Sequence, residues 1–292
     1  MPKPAVNSLP APDVQSFRLR LDEVLDFEDD QGNVWANAKW GVYAFYDYDG
    51  EPIYVGQTNE QLRVRVRRHL TNQRTDAVAM RILDPFEVAE IELWPLWEYE
   101  SIGTKGPLGA AAKAQLNALE HSVYHWAIDE SKFGAILNEK IPPVSPLIEL
   151  PASMRASLLT DAVRAEREHP DIRIARRADT LARLSAVARE RGIVTPGLRR
   201  VIVVQAMRLA YLAGARLAFA EGRPAPDPRV IQSGPLFGDV TEETENGSED
   251  ALAPNNRRTI RRWLRPQSCG NRFFGISIIS EGSVSTELTR RL

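Results

Sequence analysis

The sequence predicts an α+β fold: a small three-stranded antiparallel sheet with packed helices, followed by a mainly helical C-terminal region. Three observations predict it. Residues 40–56 form an aromatic-rich hairpin pattern around Asp47-Tyr-Asp-Gly50. Residues 86–96 hold a further apolar strand pattern. Helical-period stripes follow the hairpin, recur at 110–129, and dominate 152–222.

Residues 40–46 (Trp-Gly-Val-Tyr-Ala-Phe-Tyr) are aromatic and β-branched types that suit a pleated surface. Asp49-Gly50 tolerates the positive φ of a tight turn, and Pro52–Gly56 reads as the return strand. Side chains alternate across a strand, so Tyr43 and Tyr54 share one face if the register allows it. Thr58 followed by Gln61 is a capping-box pattern and predicts a helix of about three turns starting near Asn59. Leu62, Val66 and Leu70 form its apolar stripe. Arg65 and His69 are four apart and share a face, with Arg63, Arg67 and Arg68 adding positive charge. A solvated basic face is the plainer reading of these cations. The tyrosine hairpin just upstream favours a phosphodiester grip for Arg65 and His69, while Arg63, Arg67 and Arg68 stay open between phosphate contacts and solubility.

Phe86–Leu96 predicts the third strand, with a break in alternation near Ala89-Glu90 that predicts a bulge. A long helix is expected from Ala110 to Asp129, with Leu116, Leu119, Val123 and Trp126 on one stripe and Glu120 at its border. Asn138 precedes Pro142-Pro143, which stop any helix. Residues 142–151 read as a proline-rich linker, Asp179–Arg191 and Leu198–Ala220 as a helical pair, and 224–256 as a disordered linker. Residues 1–39 are an N-terminal extension with a short element near Leu19–Phe27, and 257–292 a basic C-terminal segment.

The 292 residues suggest about two domains. One cysteine, Cys269, excludes a disulfide framework and a cysteine-based zinc finger. Val201–Ala220 is apolar but carries Gln205, Arg208 and Arg216, which argues for a buried helix over a membrane span. With no signal peptide in view, a cytoplasmic protein without membrane attachment is expected. The net charge of −2 averages unlike regions: residues 39–150 carry 11 Lys+Arg against 16 Asp+Glu, and residues 155–229 carry 15 Arg against 8 Asp+Glu. A basic second region suits nucleic-acid binding, and also a helical dimer interface. His121 and His125, four apart on a helix, have a spacing seen in zinc sites, but an ordinary helix face is the favoured reading.

Residues 40–142 resemble the GIY-YIG nuclease family. The GIY element matches Gly41-Val42-Tyr43 and the YIG element Tyr54-Val55-Gly56. Leu62, Arg65 and His69 match the Leu-x-x-Arg-x-x-x-His/Tyr element, Glu120 the metal-binding glutamate, and Asn138 the downstream asparagine. The gap from Glu120 to Asn138 is longer than usual, which an insertion around Ile128–Gly134 would explain. The resemblance implies a metal-dependent DNA endonuclease, with RNA left open as substrate. It implies one Mg²⁺ (or Mn²⁺) on Glu120, Arg65 on the phosphate, Tyr43 as general base, and Tyr54 on the phosphate or water. His69 would orient Tyr43 or take its proton. Asn138 would orient the glutamate or pack the site. Arg63, Arg67 and Arg68 are candidate nucleic-acid contacts. The rival readings are a non-catalytic nucleic-acid-binding protein of the same fold, and a helical interaction module, such as a homodimer interface, attached to a nuclease-like core.

Overall fold

The computed structural model describes residues 10–71, 82–231 and 234–241. Strands β1 (Gly41–Tyr46), β2 (Pro52–Thr58), β3 (Glu90–Pro95) and β4 (Met154–Ser157) form one sheet in the order β2-β1-β3-β4. Every neighbouring pair is antiparallel. Helix α1 (Pro12–Leu25) precedes the sheet, α2 (Leu62–Thr71) follows the hairpin, and α3 (Gly106–Glu130) follows β3. Beyond β4 come α4 (Asp161–Arg167), α5 (Pro170–Arg191), α6 (Pro196–Ala220) and the short α7 (Gly234–Phe237).

The three-strand expectation is therefore corrected to four. Residues 154–157 alternate buried and outward side chains, with Met154 and Ala156 facing in, and pair with Leu93 to Glu90 of β3. Four residues are too few for alternation to register in sequence. The strand exists because β3 offers an unpaired edge, a tertiary condition. Its place within 152–222 also means that stretch is not helical from its start.

The hairpin turns at Asp47–Glu51. Gly50 takes φ +69°, and the Asp47 carboxylate accepts from the backbone N–H groups of Asp49 (2.9 Å) and Glu51 (3.2 Å). The irregularity in the ladder lies here, between Phe45 and Tyr46. The break expected near Ala89 instead continues the ladder, with Ala89 N donating to Tyr46 O at 2.8 Å. Helix α2 begins at Leu62, later than expected. The Thr58 hydroxyl accepts from Glu60 N (3.0 Å), a local turn that competes with helix initiation. Helix α3 runs on to Glu130, so much of the long gap between Glu120 and Asn138 is helix.

The two sheet faces are covered by different helices. Tyr46 and Trp94 pack edge-on against Trp126 of α3. Tyr43, Phe45 and Tyr54 lie against His69 of α2. The helical region is tied to the hairpin turn by buried charge. One oxygen of Asp47 accepts from Arg208 (2.7 Å), Arg177 (2.9 Å) and Arg173 (3.4 Å). Glu87 accepts from Arg176 and Arg177 at 3.0 Å each. Helix α6 is long and apolar enough to cross a membrane, but its Gln205 and Arg208 are buried and bonded to Ile82 O and Asp47. The opening part of 224–256 holds a 3₁₀ turn at Pro228–Val230 and α7, with Val240 O accepting from the Tyr124 hydroxyl. The basic segment 257–292 lies outside the described residues.

Candidate active site

The β1–β2 register sets the two tyrosines. Tyr43 stands opposite Gly56, and Phe45 opposite Tyr54, so Tyr43 and Tyr54 share a face, with ring centroids 6.3 Å apart. Glycine at 56 is a steric requirement, since a Cβ there would collide with the Tyr43 hydroxyl. Gly41 is held likewise: a Cβ would sit 2.7 Å from Trp94 O and 2.9 Å from Leu62 Cδ1. Both motif glycines thus let a partner group approach the backbone closely.

Helix α2 lays His69 over this face, 5.7 Å from the Tyr43 ring and 5.6 Å from that of Tyr54. The imidazole is 2 % exposed, and neither ring nitrogen has a hydrogen-bond partner. Burial, then the charges of Arg65 and Arg68, pull its pKa down to about 4, so it is neutral at pH 7. The Tyr43 hydroxyl is also buried without a hydrogen bond. Burial, then Tyr54, pushes it well above its ordinary value against the pull of Arg65. Arg65 lies close enough to bias that hydroxyl electrostatically, yet makes no hydrogen bond to it of acceptable geometry, and its own Nε is unpaired. Tyr54 is pushed up to about 12, mainly by burial.

Helix α3 brings Glu120 to the outer edge of β2. The carboxylate is 8 % exposed, and burial raises its pKa to about 7, against the opposing effects of Arg65 and the backbone N–H of Gln57. Glu120 acts on both tyrosines electrostatically, so five of the six expected catalytic side chains converge. Asn138 stands apart. Its amide donates to Val55 O (2.8 Å) and accepts from Val55 N (3.0 Å). It pairs the strand edge between Tyr54 and Gly56 rather than touching the glutamate.

The other α2 arginines turn elsewhere. Arg63 bonds Asn37, Leu25 O and Asp26, Arg67 pairs with Asp22 of α1, and Arg68 pairs with Glu60. Two further polar side chains are present that the sequence reading did not single out. Gln57 donates to Asn117 at 3.2 Å and leaves its own Oε1 buried and unpaired. Asn117 lies three residues before Glu120 on the same helix, a spacing that could have flagged it. His121 and His125 face each other with Nε2 atoms 3.1 Å apart, and among the described residues no group of three or more His, Cys, Asp or Glu is placed to hold a metal.

Residues 39–100 match the family model of the GIY-YIG catalytic domain, and this chain carries that domain. The match takes in Tyr43, Tyr54, Arg65 and His69 and stops short of Glu120 and Asn138. Domains of this family are phosphodiester-cleaving nucleases, generally dependent on a divalent metal, and imply a nucleic-acid substrate. No curated protein and no solved structure matches the chain.

Proposed function

We propose that this chain is a metal-dependent DNA endonuclease. One observation carries the reading: the Tyr43 hydroxyl, Arg65 Nε and both His69 nitrogens are buried without partners, beside Glu120. Unpaired buried polar groups cost about 1–3 kcal/mol each, so their concentration around one point asks for a polar ligand. A guanidinium beside two phenols, an imidazole and a carboxylate suits a phosphodiester.

The residues also fit a divalent cation. Glu120 is a buried carboxylate that burial disfavours as an anion, and a nearby cation would relieve this. A single protein carboxylate is compatible with Mg²⁺, which retains several waters. When bound there, such an ion stabilises negative charge on the phosphate and the leaving oxygen. Arg65 grips a non-bridging phosphate oxygen with its planar fork of donors. Tyr43 positions the attacking water as its general base, and His69, whose free ring nitrogens lie on the same face, orients Tyr43. Tyr54 bonds the phosphate from the neighbouring strand. Asn138 holds Val55, and so the spacing of Tyr54 and Gly56.

The test is cleavage of supercoiled plasmid in Mg²⁺ by the intact chain and by Glu120→Ala. Nicked or linear DNA from the intact chain alone is expected, with activity abolished by chelator and restored by added Mg²⁺. Absence of cleavage by a chain that still binds DNA would favour the non-catalytic rival. Equal cleavage by both proteins would reject Glu120 as the metal ligand.

A further inference from the structure

The arginines of residues 155–229 sort by whether a carboxylate neutralises them. Every one from Arg155 to Arg183, and every one from Arg208 to Arg229, is ion-paired. Between those limits, Arg189, Arg199 and Arg200 form no ion pair among the described residues. All three flank the turn joining α5 to α6. The unneutralised positive charge of a broadly basic region is therefore concentrated at one place.

That place adjoins the candidate active site. Thr195 Oγ1 donates to Glu139 Oε1 at 2.8 Å, and Arg200 Nη2 donates to Glu139 O at 3.1 Å. Gly197 lies so close to the Glu139 carbonyl that a Cβ would collide with it. Glu139 follows Asn138, which is paired to Val55 between Tyr54 and Gly56, and the charge of Glu139 is felt at Tyr54. Lys140, next in the chain, is exposed and also forms no ion pair among the described residues.

We infer that Arg199, Arg200 and Lys140 form a substrate rim that binds the sugar-phosphate backbone of the DNA strand flanking the phosphate gripped by Arg65. The inference rests on the nuclease reading above. An exposed cation without a carboxylate partner keeps mobile counterions that a phosphate backbone displaces, whereas a paired one has none to release. The ion pairs of α2 make the same point by contrast. Arg63, Arg67 and Arg68 lie on the motif helix yet are already engaged with carboxylates.

The experiment uses the full-length chain carrying Glu120→Ala, so that substrate persists. Binding of a fluorescently labelled mixed-sequence DNA duplex is measured by anisotropy over a series of salt concentrations. Adding Arg199→Ala and Arg200→Ala together should weaken binding about tenfold at moderate salt and flatten the slope of log affinity against log salt by about two. Arg199→Glu alone, at an exposed side chain with no bonds to lose, should weaken binding without altering the melting temperature, and Arg199→Lys should restore it. Arg216→Ala, towards the other end of α6 and already paired with Asp171, should leave affinity and slope unchanged. Unaltered affinity and slope in the double variant, from a chain that cleaves plasmid when Glu120 is intact, would overturn the rim and leave the nuclease reading standing. A Glu120→Ala chain that does not bind DNA, together with an intact chain that does not cleave it, would overturn both.

Discussion

Two buried polar clusters lie along the β1–β2 hairpin, and they differ in how their charge is matched. At the turn, Asp47 is 2 % exposed and meets three guanidiniums, while Glu87 is ion-paired with Arg173, Arg176 and Arg177. Most donors there find an acceptor, Arg173 Nε and Arg208 Nη1 excepted. Along the tyrosine face, Tyr43 and His69 are buried, Arg65 is half-buried with its Nε inside, and together they leave four polar atoms unpaired. The first arrangement joins helices to a sheet. The second leaves a hydroxyl, an imidazole and a guanidinium nitrogen unmatched by any carboxylate contact, and this is the feature on which the proposed site rests.

The contrast is most easily broken at the turn. Asp47→Ala strips the shared acceptor from Arg173, Arg177 and Arg208, leaving buried charge uncompensated. Burial, and then Arg208, already pull the Arg177 pKa down, so this cluster tolerates little further loss of negative charge. A loss of about 3–5 kcal/mol is expected in urea unfolding. A loss under about 1 kcal/mol would show that the cluster does not anchor the helical region.

A smaller effect follows from His69. Its folded pKa of about 4 lies below the unfolded 6.5, so between those values the unfolded chain holds more of the proton. This contribution is fully present above pH 6.5 and is lost as pH falls towards 4, to a total of about 3 kcal/mol. Glu120 works in the opposite sense. Its folded pKa of about 7 exceeds the ordinary 4.5, so its contribution is lost as pH rises through 7. The difference in unfolding free energy between the native chain and His69→Phe, measured in metal-free buffer from pH 4 to 8, isolates the histidine. That difference should shift against the native chain as the solution is acidified, and a flat difference would mean His69 is solvated.

The smallest stability effect is expected where the chemical effect is large. Tyr43→Phe removes a buried hydroxyl that bonds to nothing, so stability should change by less than about 1 kcal/mol. Plasmid cleavage should fall about 100-fold or more, the usual contribution of a positioned proton-transfer group. A variant that cleaves normally would assign the water to another residue.

The tyrosine face was largely legible in the chain, because its parts are local. The hairpin turn signal, the four-residue step from Arg65 to His69 and the helix bearing Glu120 each depend on short-range patterns. The turn cluster was not legible. Asp47-Tyr-Asp-Gly50 reads as a turn and nothing more, since Arg177 and Arg208 lie 130 and 161 residues further on. A buried helix was legible around Arg208, but not the carboxylate it meets. Strand β4 escaped for a related reason: four residues become a strand only when β3 lies beside them. Asn138 was picked out by motif order, but its partner depended on knowing which edge of β2 stays open.

That open edge has a consequence for how the molecule behaves in a crowd. β2 is an outermost strand, the position from which sheets recruit strands of other molecules. Here a single asparagine side chain imitates the missing neighbour at Val55, Leu137 N donates to Ile53 O at 2.8 Å, and the Gln57 N–H points at Glu120. The strand that carries half of the tyrosine pair is thus closed to intermolecular zippering by the chain's own side chains and one short loop. Cover of that edge and the spacing of Tyr54 and Gly56 therefore depend on the same few hydrogen bonds.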